Sequence, residues 1–281
     1  MARLRLLVVG GVAAGTSAAA KARRCDEDAE IILFEQGSDI SYATCGLPYH
    51  LSQVIPKRKN LLITSEELFD KRLKVDVRTR REVVGIDRAG HKVYVKNLAT
   101  GKTVEERYDR LVLATGSEPV IPPIQGIDLP FVFSLKTLYD LDGILNFIKG
   151  NEPKNAIVIG GGLIGVETGE NLAARGLNVS IVEAMPHMLT FLDKEMAAIA
   201  GCHAQEKGIR FFPGERVVSI ETKDGHGLIR TDCGNELPAD IVILSIGVRP
   251  NTRLARAAGL AIGKTGAILV DEFMQTSDRV Y

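Results

Sequence analysis

Two stretches of this chain follow one plan, and that repetition constrains the fold more than any other feature. Arg5–Val9 reads as an apolar strand. It leads into the glycine turn Gly10-Gly-Val-Ala-Ala-Gly15, an Ala-rich helix from about Ala14 to Arg24, and a strand Ile31–Phe34 ending at Glu35. Ala156–Ile159 is again a strand, followed by Gly160-Gly-Gly-Leu-Ile-Gly165, a helix to about Arg175, and a strand Val179–Val182 ending at Glu183. Strand, glycine turn, helix, strand and terminal acid make a βαβ unit suited to a dinucleotide. The order predicts an α/β protein with two such domains.

The second turn fits G-x-G-x-x-G in full. Gly160 makes the tight turn, Gly162 lets the backbone approach a pyrophosphate, and Gly165 lets the helix pack close to the sheet. Phosphates then meet a helix N-terminus, where free N–H groups and the dipole favour anions. Glu183 lies 23 residues beyond Gly160. A carboxylate there accepts hydrogen bonds from a ribose 2′-OH and repels a 2′-phosphate, which predicts NADH over NADPH. The first turn departs from the pattern: Val12 stands where the middle glycine belongs, between Gly11 and Ala13, and Glu35 follows 25 residues after Gly10.

A third feature is Ile40-Ser-Tyr-Ala-Thr-Cys45-Gly-Leu-Pro-Tyr49, which puts Cys45 in a polar turn before a helix at roughly Leu47–Gln53. A thiol in such a place is activated as thiolate, the form that attacks disulfides. A free cysteine is more often a small buried residue, and the two nucleotide turns tip the reading toward chemistry. Cys25, Cys202 and Cys233 have no such context and read as structural or incidental.

The remainder organises around these units. Arg81–Tyr108 alternates like an antiparallel meander inserted into the first domain, Leu111–Ala114 is a buried strand, and Pro119, Pro122 and Pro123 mark a crossing between domains. Ile241–Ser245 is a further strand, Gly247-Val-Arg-Pro-Asn251 a second crossing, and Ile268–Asp271 a final strand. The first domain is thereby predicted over residues 1–116 and 247–281, and the second over 117–246. Lys+Arg and Asp+Glu are both 35 in the 281 residues, so no basic field exists to hold nucleic acid or an anionic membrane. No run approaches the ~20 apolar residues of a membrane span. Four irregularly spaced cysteines suggest neither a metal site nor a disulfide framework. The chain reads as soluble and cytoplasmic.

Taken together these residues resemble the FAD-dependent pyridine nucleotide-disulfide oxidoreductases, over essentially the whole chain. The resemblance implies two Rossmann-like domains, with FAD on the first and NAD(P)H on the second. It implies flavin contacts at Gly10, Gly11, Val12, Ala13, Ala14, Gly15, Glu35, Gln36, Val83, Ala114, Thr115 and Gly116. It implies nicotinamide nucleotide contacts at Gly160, Gly162, Leu163, Ile164, Gly165, Glu167, Glu183 and Gly247. Branches with two redox cysteines five positions apart are excluded, because those positions are Ile40 and His50. Among single-cysteine branches, the peroxidases carry a histidine where this chain has Ala13. The Cys45 loop looks most like coenzyme A-disulfide reductases. In that branch Ser17, Lys21, Arg24, Ser41 and Thr44 correspond to coenzyme A-binding positions, with Lys21 and Thr44 replacing the usual residues. The implied function is electron transfer from NAD(P)H through FAD and Cys45 to a small-molecule disulfide or persulfide. The alternatives are an NADH oxidase or peroxidase, or a non-catalytic nucleotide-binding fragment. The family's second FAD motif and its C-terminal dimerisation domain would lie beyond Tyr281, so a homodimer is expected of a full-length parent.

Overall fold

The computed structural model describes residues 3–223 and 226–281. Its α-helices are α1 (Ala13–Cys25), α2 (Leu47–Leu51), α3 (Glu66–Leu73), α4 (Leu138–Asn151), α5 (Leu163–Ala174), α6 (Lys194–Glu206) and α7 (Arg253–Ala257). Contacts divide the chain into two units. The first comprises Met1–Ala43, Leu62–Glu118 and Arg249–Tyr281, and the second Thr44–Leu61 and Pro119–Val248.

In the first unit a four-stranded parallel sheet runs in the order Val75–Arg78, Glu30–Phe34, Arg5–Val9, Arg110–Leu113. Successive side chains of a strand point to opposite faces. Leu6 and Val8 therefore join Ala19, Ile31, Leu33 and Phe69 on one face, while Leu7 and Val9 join Ile32, Phe34, Val93, Val95 and Tyr108 on the other. Burial on both faces explains the unbroken apolar run of a parallel strand, and each fully buried side chain contributes roughly 1.5–3 kcal/mol. The second face is covered by the antiparallel meander Arg81–Asp87, Lys92–Asn97, Thr103–Arg107. Arg23 of α1 is buried, and its guanidinium donates to the carbonyls of Leu73, Lys74, Asp26 and Glu27.

The expected final strand at Ile268–Asp271 does not form. Ile268 makes only an isolated bridge to Ile262, and the Asp271 carboxylate turns the chain by accepting from the N–H groups of Phe273 and Gln275 at 2.9 Å each. The strand-like pairing comes later. Leu111 N–H donates to Arg279 O at 2.8 Å, Tyr281 N–H to Leu111 O at 2.9 Å, and Leu113 N–H to Tyr281 O at 2.7 Å. Residues 279–281 thus run along the outer edge of Arg110–Leu113.

The second unit holds a five-stranded parallel sheet ordered Arg210–Pro213, Asn178–Glu183, Asn155–Ile159, Ile241–Leu244, Val132–Ser134. From the central Asn155–Ile159 the chain winds outward one way and returns on the other side, so the order reverses between that strand and Ile241–Leu244. Ligands of open α/β sheets bind at the carboxyl ends of the strands at such a reversal. A three-stranded antiparallel sheet, Val217–Lys223, His226–Thr231 and Glu236–Pro238, closes one face over Ile157, Val182, Ile220, Ile229, Val242 and Leu244. The sequence reading kept Thr44–Leu61 in the first domain, whereas contacts group this segment with the second unit. Arg58 Nε reaches both carboxylate oxygens of Asp142 on α4 at 3.0 and 3.1 Å, and α2 lies against α5.

Candidate nucleotide turns and redox thiol

Both glycine turns are built the same way. Gly160 has φ +111°, and a side chain there would bring its Cβ to 2.4 Å from Ser245 O; at Gly165 the Cβ would lie 2.0 Å from Gly160 O. Gly10 has φ +105°, its Cβ would fall 2.1 Å from Ala114 O, and that of Gly15 would fall 1.8 Å from Gly10 O. In each unit the residue just past the neighbouring parallel strand presses its carbonyl on the first glycine, which leaves room for no other residue.

The terminal acids are held in matching clamps. Glu183 accepts Gly161 N–H at 2.5 Å on one oxygen and Met185 N–H at 2.7 Å on the other. Glu35 accepts Gly11 N–H and Gly37 N–H at 2.7 Å each. A carboxylate offers about four lone-pair sites, so each acid retains capacity for a ribose hydroxyl. The sequence reading missed Gly161, although the repeated Gly-Gly doublet signals it. A Cβ at Gly161 would sit 3.2 Å from Glu183 Cβ, and one at Gly11 would sit 2.9 Å from Glu35 Cβ.

The middle positions differ from the other glycines. Nothing lies within 4 Å of a Cβ built on Gly162. That open space is a cradle for a ligand, and in the first turn the Val12 side chain occupies its counterpart. Neither α1 nor α5 has a side-chain N-cap bond or an acid in its first turn. By contrast α3 is capped by Ser65, and α4 by a Thr137–Asp140 capping box. The first N–H groups of a helix have no intrahelical partner, and at α1 and α5 they remain available for phosphate. The residues present therefore fit two dinucleotides.

Around the second turn, Leu163 and Ile164 are exposed and Glu167 is half-buried. Gly247, at φ +111°, has open space around it. A shallow cleft lies at the strand reversal, lined by Ile164, Leu244, Ser245, Gly247, Val248, Pro119, Ser134, Leu135 and Lys136. The last three had no sequence signal. Around the first turn, Ala13, Ala14 and Gln36 are exposed. Thr115 Oγ1 donates to Asn251 O at 2.6 Å, and Asn251 N–H donates back to Gly116 O at 2.9 Å, so the two crossing segments tie to each other. The Val83 side chain is buried in the core.

Cys45 is exposed and sits in the Thr44–Gly46 3₁₀ turn that runs into α2. Leu47, Pro48, His50 and Leu51 of α2 are buried. Thr44 is exposed beside the thiol. Ser41 belongs to the first unit, with φ +47° and its N–H donating to Gly11 O at 2.8 Å. All four cysteines are free and exposed. At Cys233, local desolvation followed by the Asp232 and Glu215 carboxylates pushes the thiol above its usual range, which disfavours thiolate. On α1, Ser17, Lys21 and Arg24 are exposed at helical spacing on one face. Among the described residues, no cluster of His, Cys, Asp and Glu could hold a metal, and no helix is long and apolar enough to cross a membrane.

The family model described as pyridine nucleotide-disulphide oxidoreductase matches residues 4–281. A Methanocaldococcus jannaschii protein named NADH oxidase is 36% identical over 275 residues, 98% of this chain and 61% of its own length. A coenzyme A disulfide reductase from Staphylococcus haemolyticus is 30% identical over 273 residues, 97% of this chain and 60% of its own length. The crystal structure of reduced Bacillus anthracis CoADR-RHD matches with a TM-score of 0.97 at 40% identity, covering 100% of this chain and 50% of that one. This chain thus spans about 60% of the length of the curated relatives it matches.

Proposed function

The chain belongs to the pyridine nucleotide-disulphide oxidoreductase family, and we propose that it serves an NADH-dependent flavoenzyme that reduces a disulfide or persulfide, such as coenzyme A disulfide, through Cys45. Membership implies FAD and NAD(H) as cofactors, and the two uncapped turns accommodate them, with FAD assigned to Gly10–Gly15 and NADH to Gly160–Gly165. Bound there, the two cofactors supply the electron pair that reduces the sulfur–sulfur bond left on Cys45.

The observation that carries the reading is the placement of Cys45. It is an exposed thiol in a turn whose following helix docks on α5, the helix that starts at the second glycine turn. As thiolate, Cys45 Sγ attacks one sulfur of the substrate. The Sγ–S bond forms as the substrate S–S bond breaks, and the departing sulfur leaves as thiolate and takes a proton from solvent. Two electrons from that pair would then cleave the bond on Cys45, restoring its thiolate and releasing the second sulfur as thiolate, which takes a proton from solvent. Glu183, fixed by two backbone N–H groups, accepts the ribose 2′-OH of NADH and repels a 2′-phosphate, so NADPH is the poorer donor. Ser17, Lys21 and Arg24 offer hydroxyl and cationic contacts to the phosphates of a coenzyme A moiety. Four unpaired thiols support a reducing, cytoplasmic setting, and the parent enzyme is proposed to be a homodimer.

Replacing Cys45 by Ser tests the assignment. Disulfide reduction should be lost, while anaerobic NADH still bleaches the flavin band. Full reductase activity in that variant would overturn the role of Cys45. The relative named NADH oxidase favours a second reading, electron delivery to oxygen. NADH consumption that needs air and is indifferent to added disulfide would support it.

A further inference from the structure

Besides the burial of its apolar side chains, two long-range hydrogen bonds tie the C-terminal end of α2 to α5. Ser52 Oγ, just past the end of α2, donates to Asn171 Oδ1 at 2.5 Å, and Arg175 Nη1 donates to Leu51 O at 2.6 Å. Asn171 is 4% exposed, and its Nδ2 donates to Glu167 O at 2.7 Å. Glu167, Asn171 and Arg175 follow one another at intervals of four, so they form one row along α5 and its C-cap. The Leu51 carbonyl is among those left without a partner at a helix end, and Arg175 satisfies it. The α2 segment is only five residues long, too short to be stable alone. Its position, and that of the Cys45 turn leading into it, is therefore set from outside, in part by the row on α5.

We propose that Asn171, acting through Ser52, is a positioning residue for the Cys45 thiol. The proposal deepens the reading of Cys45 as the reacting thiol and rests on it. Disulfide exchange requires Sγ to approach along the axis of the bond it breaks, so a turn spread over several orientations presents fewer productive ones. Loss of the Ser52–Asn171 contact frees the C-terminal end of α2 and slows exchange at Cys45, without touching the glycine turn.

The test measures the rate at which each cysteine of the chain exchanges with a water-soluble aryl disulfide, resolved by peptide mass. Ser52→Ala and Asn171→Ala are each expected to slow Cys45 about threefold or more, within the range of couplings between contacting residues. Cys25 and Cys202, exposed elsewhere, should be unchanged. Ser52→Thr, which keeps the hydroxyl, should restore the Cys45 rate, and the double variant should be no slower than Asn171→Ala alone. An unchanged Cys45 rate in Ser52→Ala, equal slowing of all thiols, or additive effects in the double variant would each overturn the proposal. All of these rates are read without added FAD or NADH. The Cys45→Ser result for reductase activity therefore judges the parent reading separately.

Discussion

Gly162 and Gly165 lie three positions apart in one turn, yet alanine at each should fail in a different way. At Gly165 the new methyl would sit 2.0 Å from Gly160 O and 3.3 Å from Ser245 Cβ. An ordinary contact is about 3.4–4 Å, so the helix start must move by more than an ångström. Overpacking of this kind costs about 1–3 kcal/mol or more. The helix-propensity gain of up to about 1 kcal/mol offsets only part of it, since the obstacle is backbone. At Gly162 the methyl meets nothing, and φ is −73°, open to any residue. Lost unfolded-chain entropy stabilises by about 0.4–1 kcal/mol, and alanine at an N-cap costs a similar amount, so the fold should change by less than about 1 kcal/mol. The same methyl fills the space a pyrophosphate needs, and NADH affinity should fall about tenfold, or 1.4 kcal/mol. Thermal unfolding and calorimetric NADH titration of both variants separate the cases, at about 2–4 °C per kcal/mol for a chain near this size. A Gly162→Ala chain that unfolds several degrees early, or binds NADH as tightly as the parent, would refute the argument.

Three other outcomes follow from described contacts. Replacing Glu183 by Ala removes the proposed ribose acceptor, the clamp on Gly161 and Met185 and the repulsion of a 2′-phosphate, so NADH affinity should drop about tenfold and the preference over NADPH should shrink or reverse, as read by parallel titrations. Among the described residues the buried Tyr108 hydroxyl finds no hydrogen-bond partner, which costs about 1–3 kcal/mol. Tyr108→Phe should therefore hold or raise the unfolding temperature, against the usual sign for a core substitution. Burial also holds the Tyr108 phenol above its ordinary value of 10.0. The neutral form is thus favoured in the fold, and the parent should lose stability relative to Tyr108→Phe as pH rises past about 10. Cys233, whose thiol is pushed up, should alkylate slowly at neutral pH and accelerate only as pH rises through its raised pKa, which mass-resolved labelling across pH would register.

What the sequence disclosed is what short-range geometry controls. Gly10 and Gly160 need positive φ, and Gly15 and Gly165 need close approach to their own turns. The acids needed only the right distance beyond them, so turn, helix and acid were legible together. The clamp that orients Glu183 through Gly161 was written in the repeated doublet but not read. The anchor of α2 was not legible, because Ser52 and Asn171 are 119 residues apart and neither type signals the other. Thr44–Leu61 was assigned to the first domain by its position in the chain, while Arg58, Leu51 and Ser52 join it to the second unit. The apolar run Ile268–Asp271 imitated a strand, but Asp271 is better satisfied by closing a turn.

Residues 279–281 have a protective consequence. Without them, the N–H groups of Leu111 and Leu113 and the carbonyl of Leu111 would line an open parallel edge. Such an edge invites another chain to add a strand. Here residues 279–281 of the same chain cover that edge, and a cleavage site or tag placed within them would expose it and promote self-association.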